Sequence, residues 1–303
     1  MHVLRHVELS RLNYILFGLL AVFLFQRGLD GFFTVRTWTG MWILIYACLK
    51  YYERPRLRYL LLMFVPPFIH IGFFLLAIPA WVVLVFGARP LLYTVIFLMS
   101  SVTTFLPVQD ITDYIAQPER GASQVHAYLV EERSESTVED FARMRAGGRN
   151  WYDAYRRAGI QRWAPTVLVL TLLANGFFLG KMTLYQKRIF SIGLLTLAFS
   201  NMTWFLYAVH HRSLEIAVIF LLAAFFMTRF DPRSRGYFRD VTPYYQWGIT
   251  LTFLLFFPVL VWKLSVMTDR FGIFSVAAPV LALIEPEANV SIKEVINFLI
   301  GRG

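Results

Sequence analysis

Apolar runs of roughly 15–28 residues, separated mostly by short polar loops, recur along most of the chain. They do not alternate between apolar and polar positions, so the pattern predicts helices rather than strands. Only helices and closed barrels span lipid, because every backbone polar group there needs a partner within the protein. We therefore predict an all-α, polytopic transmembrane helix bundle. The runs give about eight predicted spans, at 12–26, 31–51, 59–85, 91–108, 163–180, 189–209, 213–228 and 247–266.

Three further segments complete the pattern. The apolar piece 273–284 is too short to cross a bilayer alone, and 291–300 has the spacing of a helix that lies at the interface or packs on the bundle. Segment 110–162 carries 8 of the 29 basic and 9 of the 19 acidic residues. We expect it to form an extramembrane helical loop inserted into a single transmembrane domain, 1–303.

Composition agrees with this fold class. The chain is 57% hydrophobic and only 16% charged, whereas soluble domains have about 25% charged residues. A net charge of +10 would suit nucleic acid, but the charges lie in short loops, where the positive-inside rule explains them. Twenty-four Arg against five Lys indicates either phosphate and carboxylate binding or a GC-rich genome. We expect no nucleic-acid partner.

The single cysteine, Cys48, excludes an intrachain disulfide or a thiolate metal site. The first apolar run lacks a small-residue cleavage site and is followed by Arg27, so we expect it to be the first span.

Basic residues in three loops predict the orientation. The loops 50–58, 181–188 and 229–239 carry four, three and four Lys or Arg residues, which places all of them in the cytoplasm. Eight unbroken spans cannot satisfy all three assignments, so one span within 59–109 or 163–180 must be broken, re-entrant or miscounted. Prolines at 66, 67, 79 and 90 favour 59–109. Segment 110–162 then lies outside.

Ionisable residues near span ends are functional candidates, because charge is costly in lipid. Arg36 lies near the external end of the second predicted span, and Arg27 and Asp30 lie in the turn before it. The two arginines could bind phosphate, although Arg36 could also snorkel to the interface. Asp30 could act as a base, pair with Arg27 or cap the next helix.

His70 lies in the apolar stretch "VPPFIHIGFFLLAIPAW". It follows Arg58 by twelve residues, which is roughly 18 Å along a helix and places it in the outer half of a bilayer. Pro66 and Pro67 free helix carbonyls and open space beside it. His70 is therefore a candidate base or orienting group, with a structural hydrogen bond between helices as the alternative.

Two further stretches carry candidate residues. In "VHHRSLEIAV", we expect His210, a candidate base, to lie with His211 and Arg212 in a short external turn. Glu215 follows one turn later, where it can pair with Arg212 on one helix face. Adjacent histidines do not have the i, i+4 spacing of a helical metal site, so we expect no metal.

The stretch "GGRNWYDAYRRAG" offers Arg149 and Trp151 as substrate-binding residues. Arginine holds phosphate and aromatic rings stack on sugars, although an interfacial aromatic belt would have the same composition.

The predicted orientation brings these span-end residues to one external face of the membrane. Arginines there could hold the diphosphate of a lipid-linked donor, and a His, Asp or Glu could accept a proton from an attacking hydroxyl. The sequence has no Gly-rich phosphate loop, Ser-centred elbow or carboxylate cluster. We expect neither a cofactor nor a metal.

The stretches "GFFTVRTWTGMWILIYACLKYYERPRLRYLLLMFVPPFIHIGFFLLAIPAWVV" and "HHRSLEIAVIF" resemble the EpsG-like, O-antigen-polymerase-type (Wzy-like) membrane proteins. Arg36, His70 and Arg212 match that family's arginine, histidine and late arginine, over about residues 30–230. The resemblance implies polymerisation of lipid-linked oligosaccharides outside the cytoplasm. Members usually have more sequence before the first arginine, so we expect a shortened relative, a truncated start or lost catalysis.

The leading functional hypothesis is a glycosyltransferase-type polymerase of polyprenyl-diphosphate-linked units. It would act in bacterial exopolysaccharide, capsule or O-antigen synthesis, as a multi-pass protein of the inner membrane. Its expected partners are the lipid bilayer, the lipid-linked glycan and other polysaccharide-assembly membrane proteins. Two alternatives stay open: a non-catalytic transport or scaffold subunit of a glycan-export system, and a membrane acyltransferase.

Overall fold

The computed structural model describes residues 13–25, 35–103, 162–174, 182–204, 207–231 and 243–270, together with 291, 292, 294 and 295. Within these residues the fold is helical and has no β-strand, which confirms the all-α prediction. The helices are α1 (Tyr14–Phe25), α2 (Val35–Glu53), α3 (Leu57–Leu62), α4 (Pro66–Ile69), α5 (Phe73–Leu76), α6 (Ile78–Phe86), α7 (Pro90–Thr103), α8 (Trp163–Ala174), α9 (Leu184–Met202), α10 (Tyr207–Arg229) and α11 (Pro243–Arg270).

Two of the described helices are long and apolar enough to cross a membrane, judged by length and composition. They cover Val209–Arg229 and Pro243–Thr268. The predicted count of eight spans is not confirmed. The predicted extramembrane segment 110–162 lies outside the described residues except for Arg162. Near the C-terminal end, the Ser291 N–H donates to Glu294 Oε2 at 2.9 Å, and the Glu294 N–H donates to Ser291 Oγ at 3.1 Å. This reciprocal pair is the capping box of a helix start.

Helix α10 forms the centre of the core. All its side chains from Ser213 to Thr228 are buried, as expected of a helix that is apolar on every side. Helix α9 packs along α10, where Gly193 lets the backbones approach: a Cβ atom there would lie 2.8 Å from Leu221 Cγ. Helix α7 packs on α9, whereas α1 and α8 pack on α11.

The predicted span 59–85 is not one helix. The structure divides it into four short helices and reverses the chain at His70–Gly72, where His70 is extended (φ −150°, ψ 121°). After the reversal, the Trp81 ring stacks on the Phe64 ring at 5.3 Å. A continuous helix would separate these two residues by about 25 Å. Segment 57–86 is therefore a helical hairpin, which corrects the prediction of a single span.

Pro67 explains where the hairpin forms. Proline has no N–H to donate to the carbonyl four residues earlier, and for Pro67 that acceptor is Met63. The indole N–H of Trp81 donates to the Met63 carbonyl instead, at 3.3 Å. The returning arm of the hairpin thus supplies the hydrogen bond that proline removes from the first arm.

One end of the bundle, which we call the basic end, carries the described basic residues that flank α2, α9 and α10. Thr183 and Gln186 form a capping box at the start of α9, and Gln186 Nε2 also donates to the Met227 carbonyl at the end of α10. The Arg188 guanidinium lies 5.3 Å from the Tyr52 ring near the end of α2. The end of α2, the start of α9 and the end of α10 therefore meet at the basic end.

The opposite end, which we call the histidine end, joins α7, α9 and α10 through polar contacts. Asn201 Nδ2 donates to the hydroxyls of Ser100 and Ser101 at 3.3 Å. His210, in the first turn of α10, bonds to Ser200 in the last turn of α9. Helices α7 and α9 therefore end where α10 begins.

On α7 and α11, polar side chains are buried and large apolar side chains are exposed. Helix α7 buries Thr94 and Ser100 while its outer face exposes large apolar side chains, and α11 does the same around buried Thr252. The exposed apolar residues are Leu91, Leu92, Val95, Leu98, Met99 and Val102 on α7, and Trp247, Leu251, Leu254, Phe257 and Leu264 on α11. Continuous apolar faces of this kind mark membrane or protein contact surfaces.

Candidate functional site

Three of the predicted residues come together at the histidine end. Nη1 of Arg212 lies 4.0 Å from the position that a Cβ atom would take at Gly72, in the hairpin turn. The charges of Arg212 and Arg36 both act on the His70 imidazole. Arg36 is exposed, whereas His70 and Arg212 are half-buried. Residues from α2, the hairpin and α10 therefore form one cluster, which we call the arginine–histidine cluster.

Hydrogen bonding fixes which nitrogen of His70 carries the proton. The N–H of Gly72 donates to His70 Nδ1 at 3.0 Å, so Nδ1 has no proton and the neutral ring carries it on Nε2. Nε2 then serves as a hydrogen-bond donor. With two positive charges nearby, this geometry favours donation to an anion over proton abstraction by His70.

The arginine–histidine cluster suits phosphate. Guanidinium groups bind phosphate oxygens in pairs, and charged donors bind them more strongly than neutral ones. The reversed backbone at His70–Gly72 brings a side-chain donor and the cations together at the end of the bundle. Irregular backbone at such a position in a membrane protein is typical of binding sites.

His210 and its neighbours are helical, which corrects the expected external turn. Helix α9 ends at Met202 and α10 begins at Tyr207, so residues 210–212 lie inside α10. His210 Nδ1 is 2.8 Å from the Ser200 carbonyl and must donate to it, while the Ser200 hydroxyl donates to the His210 carbonyl at 3.1 Å. The helix extends past the apolar pattern because these polar groups find partners on α9.

Glu215 joins a second cluster, between α10 and α11. Its Oε1 accepts a hydrogen bond from Lys263 Nζ at 3.1 Å and lies 3.8 Å from His211 Nε2. Glu215 is 4% exposed and Lys263 5% exposed. The carboxylate therefore forms ion pairs with both of these groups, and the i, i+3 pair with Arg212 stays a prediction.

The sequence interpretation missed Lys263, although the signal was present. It lies in the apolar run "LVWKLSV", where a lysine is as costly as the arginines that were noticed. Burial of both charges requires that they stay paired, because removing one partner of a buried ion pair typically costs about 3–5 kcal/mol.

A small depression with room for about one water molecule lies beside Glu215, in the groove between α10 and α11. Its walls combine an ionisable end with an apolar floor and one indole ring. The lining residues are His211, Leu214, Glu215, Val218, Phe256, Val259, Trp262 and Lys263. His211 and Arg212 are consecutive on α10, so the helix itself links this depression to the arginine–histidine cluster.

The remaining predicted residues, Arg27, Asp30, Arg149 and Trp151, lie outside the described residues. Among those that are described, no three His, Cys, Asp or Glu side chains are grouped to hold a metal ion. The chain matches no family model, no curated protein and no solved structure.

Proposed function

We propose that this chain is a multi-pass protein of the bacterial inner membrane that polymerises polyprenyl-diphosphate-linked glycan units. Membrane residence is supported by the two long apolar helices and by the apolar outer faces of α7 and α11. The basic end carries Lys50, Arg54 and Arg188, so the positive-inside rule favours a cytoplasmic position for it.

The hairpin 57–86 supports a consistent topology. If it enters and leaves by the basic end, it does not count as a crossing. The crossings are then α1, α2 and α7 to α11, which makes seven. All three basic loops lie in the cytoplasm, and segment 110–162 lies outside, as the charge pattern predicts. The histidine end then faces the side where lipid-linked glycans are polymerised.

The observation that carries the proposed activity is the approach of Arg212 to the His70–Gly72 turn. The charge of Arg36 acts on the same imidazole. In glycosyl transfer, the bond between the donor sugar and the diphosphate breaks, and negative charge grows on the leaving phosphate. In the proposed reaction, two guanidinium groups and the His70 Nε2–H stabilise that charge. Stabilisation of charge that develops in the transition state is a large catalytic contribution.

Replacing Arg212 with Gln tests the proposal. Loss of a charge-assisted hydrogen bond costs about 1.5–3 kcal/mol, so we expect the affinity for undecaprenyl diphosphate to fall about 10- to 100-fold. Native mass spectrometry of the protein in nanodiscs measures this binding. The glycan of cells that express the variant should shorten to single repeats on gels.

The matched control is Arg58→Gln, since Arg58 is exposed and packs on the adjacent Tyr59 ring at 4.6 Å. It should retain both lipid affinity and polymer length. Full-length polymer and unchanged affinity in Arg212→Gln, at equal expression, would reject the proposed activity.

A second candidate is a non-catalytic transport or scaffold subunit. The mutual pairing of Glu215 and Lys263 favours it, because paired charges are what a structural role requires. Purified protein supplied with lipid-linked repeats distinguishes the two candidates. A polymerase forms longer lipid-linked chains without other proteins, whereas a scaffold forms none.

A further inference from the structure

The open end of the hairpin, opposite its turn, carries exposed arginine side chains on both sides. Arg54 and Arg56 precede the first arm, and Arg89 follows the second arm. The stacked rings of Phe64 and Trp81 hold the two arms together. Arg56 lies eight residues before Phe64, and Arg89 lies eight residues after Trp81. Both arms therefore extend about 12 Å from the stack towards the same end of the bundle.

Two tyrosines hold the flanking helices together at this open end. Tyr93, in the first turn of α7, donates its hydroxyl to the Gly87 carbonyl at 2.9 Å and so fixes the loop that carries Arg89. Tyr93 also interacts electrostatically with Tyr52, which lies two residues before Arg54. The end of α2, which leads to Arg54, and the start of α7, which follows Arg89, are therefore neighbours.

The segment that contains the hairpin has a net positive charge. Glu53 is its one acidic residue between positions 51 and 103, and the Glu53 carboxylate accepts a hydrogen bond from Lys50 at 2.8 Å. Of the four arginines in the segment, Arg58 packs on the Tyr59 ring and donates to its hydroxyl at 2.8 Å. The other three arginines present their charge at the surface of the open end.

Large apolar side chains lie directly beside these arginines. Leu57 and Leu61 on the first arm are more than half exposed, and so are Val85 and Phe86 on the second arm. A surface that combines cations with an exposed apolar face binds anionic lipids through charge and through buried apolar area together.

A glycerophospholipid has the matching chemistry, with one phosphate above two acyl chains. Guanidinium groups bind phosphate oxygens in pairs, and each arm of the hairpin offers one apolar surface to an acyl chain. The site lies at the basic end, whereas the arginine–histidine cluster lies at the histidine end. It is therefore separate from the site that we assign to the lipid diphosphate.

We propose that the open end of the hairpin binds one anionic glycerophospholipid of the surrounding leaflet. Its phosphate contacts Arg54, Arg56 and Arg89, and its acyl chains lie along Leu57 and Val85. The bound lipid joins the two arms of the hairpin and holds their open end at the membrane surface. This site depends on the membrane fold but not on polymerase activity, so the test contains no glycan.

Competition between two phospholipids tests the proposal. The full-length protein is placed in nanodiscs with equal amounts of phosphatidylglycerol and phosphatidylcholine that have the same acyl chains. Native mass spectrometry then counts the lipids that stay bound. The wild type should retain phosphatidylglycerol preferentially. One basic residue near an anionic lipid contributes about fivefold in affinity, so Arg56→Gln combined with Arg89→Gln should lower this retention about 10- to 30-fold.

Two further variants make the test specific. Both replaced arginines are exposed, so the double variant should melt near the wild-type temperature in detergent without phospholipid. Lys187→Gln is the matched control, because it removes a positive charge from the same end of the bundle but from α9. Its retention of phosphatidylglycerol should stay close to that of the wild type. Leu57→Asn should lower the retention, since it removes apolar contact with an acyl chain.

Three results would overturn the proposal. The first is equal retention of phosphatidylglycerol by the wild type and the double variant. The second is equal retention of the two phospholipids by the wild type, which would show that charge does not select the lipid. The third is displacement of phosphatidylglycerol by millimolar inorganic phosphate with no effect of Leu57→Asn, which would identify a site for free phosphate.

Discussion

At the residue scale, ionisable side chains in apolar sequence were the informative signal. Arg36, His70 and Arg212 could be selected from the sequence because each is costly in lipid, and the structure gathers them. The sequence around Glu215 could not predict that Lys263 is its partner. Lys263 lies 48 residues away, and only the packing of α11 against α10 brings the two charges together.

The close contact between Gly72 and the His70 ring could not be predicted from the sequence. A Cβ atom at this position would lie 3.0 Å from His70 Nδ1 and 3.1 Å from Cε1. Glycine thus allows its own N–H to reach the imidazole, and that bond sets the tautomer that makes His70 a donor.

We predict that Gly72→Ala displaces the His70 ring and weakens undecaprenyl diphosphate binding about tenfold, the equivalent of about 1.4 kcal/mol. Native mass spectrometry in nanodiscs measures the change. Ile71→Ala is the control, because the Ile71 side chain in the same turn is exposed. Equal affinities for the two variants would show that the ring position does not matter for the diphosphate.

At the element scale, the sequence located the irregular span but did not predict its path. Four prolines and conflicting loop charges indicated a break within 59–109. A proline predicts that a helix is interrupted. The direction of the chain after the interruption depends on what the second arm of the hairpin packs against. Here the Phe64–Trp81 stack and the bond from Trp81 to the Met63 carbonyl select the hairpin.

We predict that Trp81→Ala destabilises the protein by about 2–4 kcal/mol, because it removes both a half-buried ring and the donor for Met63. Trp81→Phe should cost only about 1 kcal/mol, since the stack is retained. Denaturant unfolding in detergent, followed by circular dichroism, compares them. Trp247→Ala, on the exposed face of α11, should be nearly neutral; a loss equal to that of Trp81→Ala would argue against the hairpin contact.

At the scale of the whole molecule, the fold class followed from the pattern of apolar runs, whereas the number of crossings did not. Apolar length alone cannot distinguish a crossing from a hairpin that returns to the same side. The charge pattern of the loops carried the missing information, because it requires an even number of crossings between α2 and α9, whereas the apolar runs gave three. In the proposed topology, the hairpin 57–86 is not a crossing, which leaves α7 and α8 as the two crossings.

We predict that positions 54 and 89, at the two ends of the hairpin, lie on the same side of the membrane. The protein has one cysteine, buried Cys48, so Cys48→Ala gives a background without thiols. Arg54→Cys and Arg89→Cys, both exposed positions, should react with a membrane-impermeant maleimide only after the cells are permeabilised. Ser123→Cys, in segment 110–162, should react in intact spheroplasts. A single crossing by 57–86 would instead put positions 54 and 89 on opposite sides, and only one of them would then react before permeabilisation.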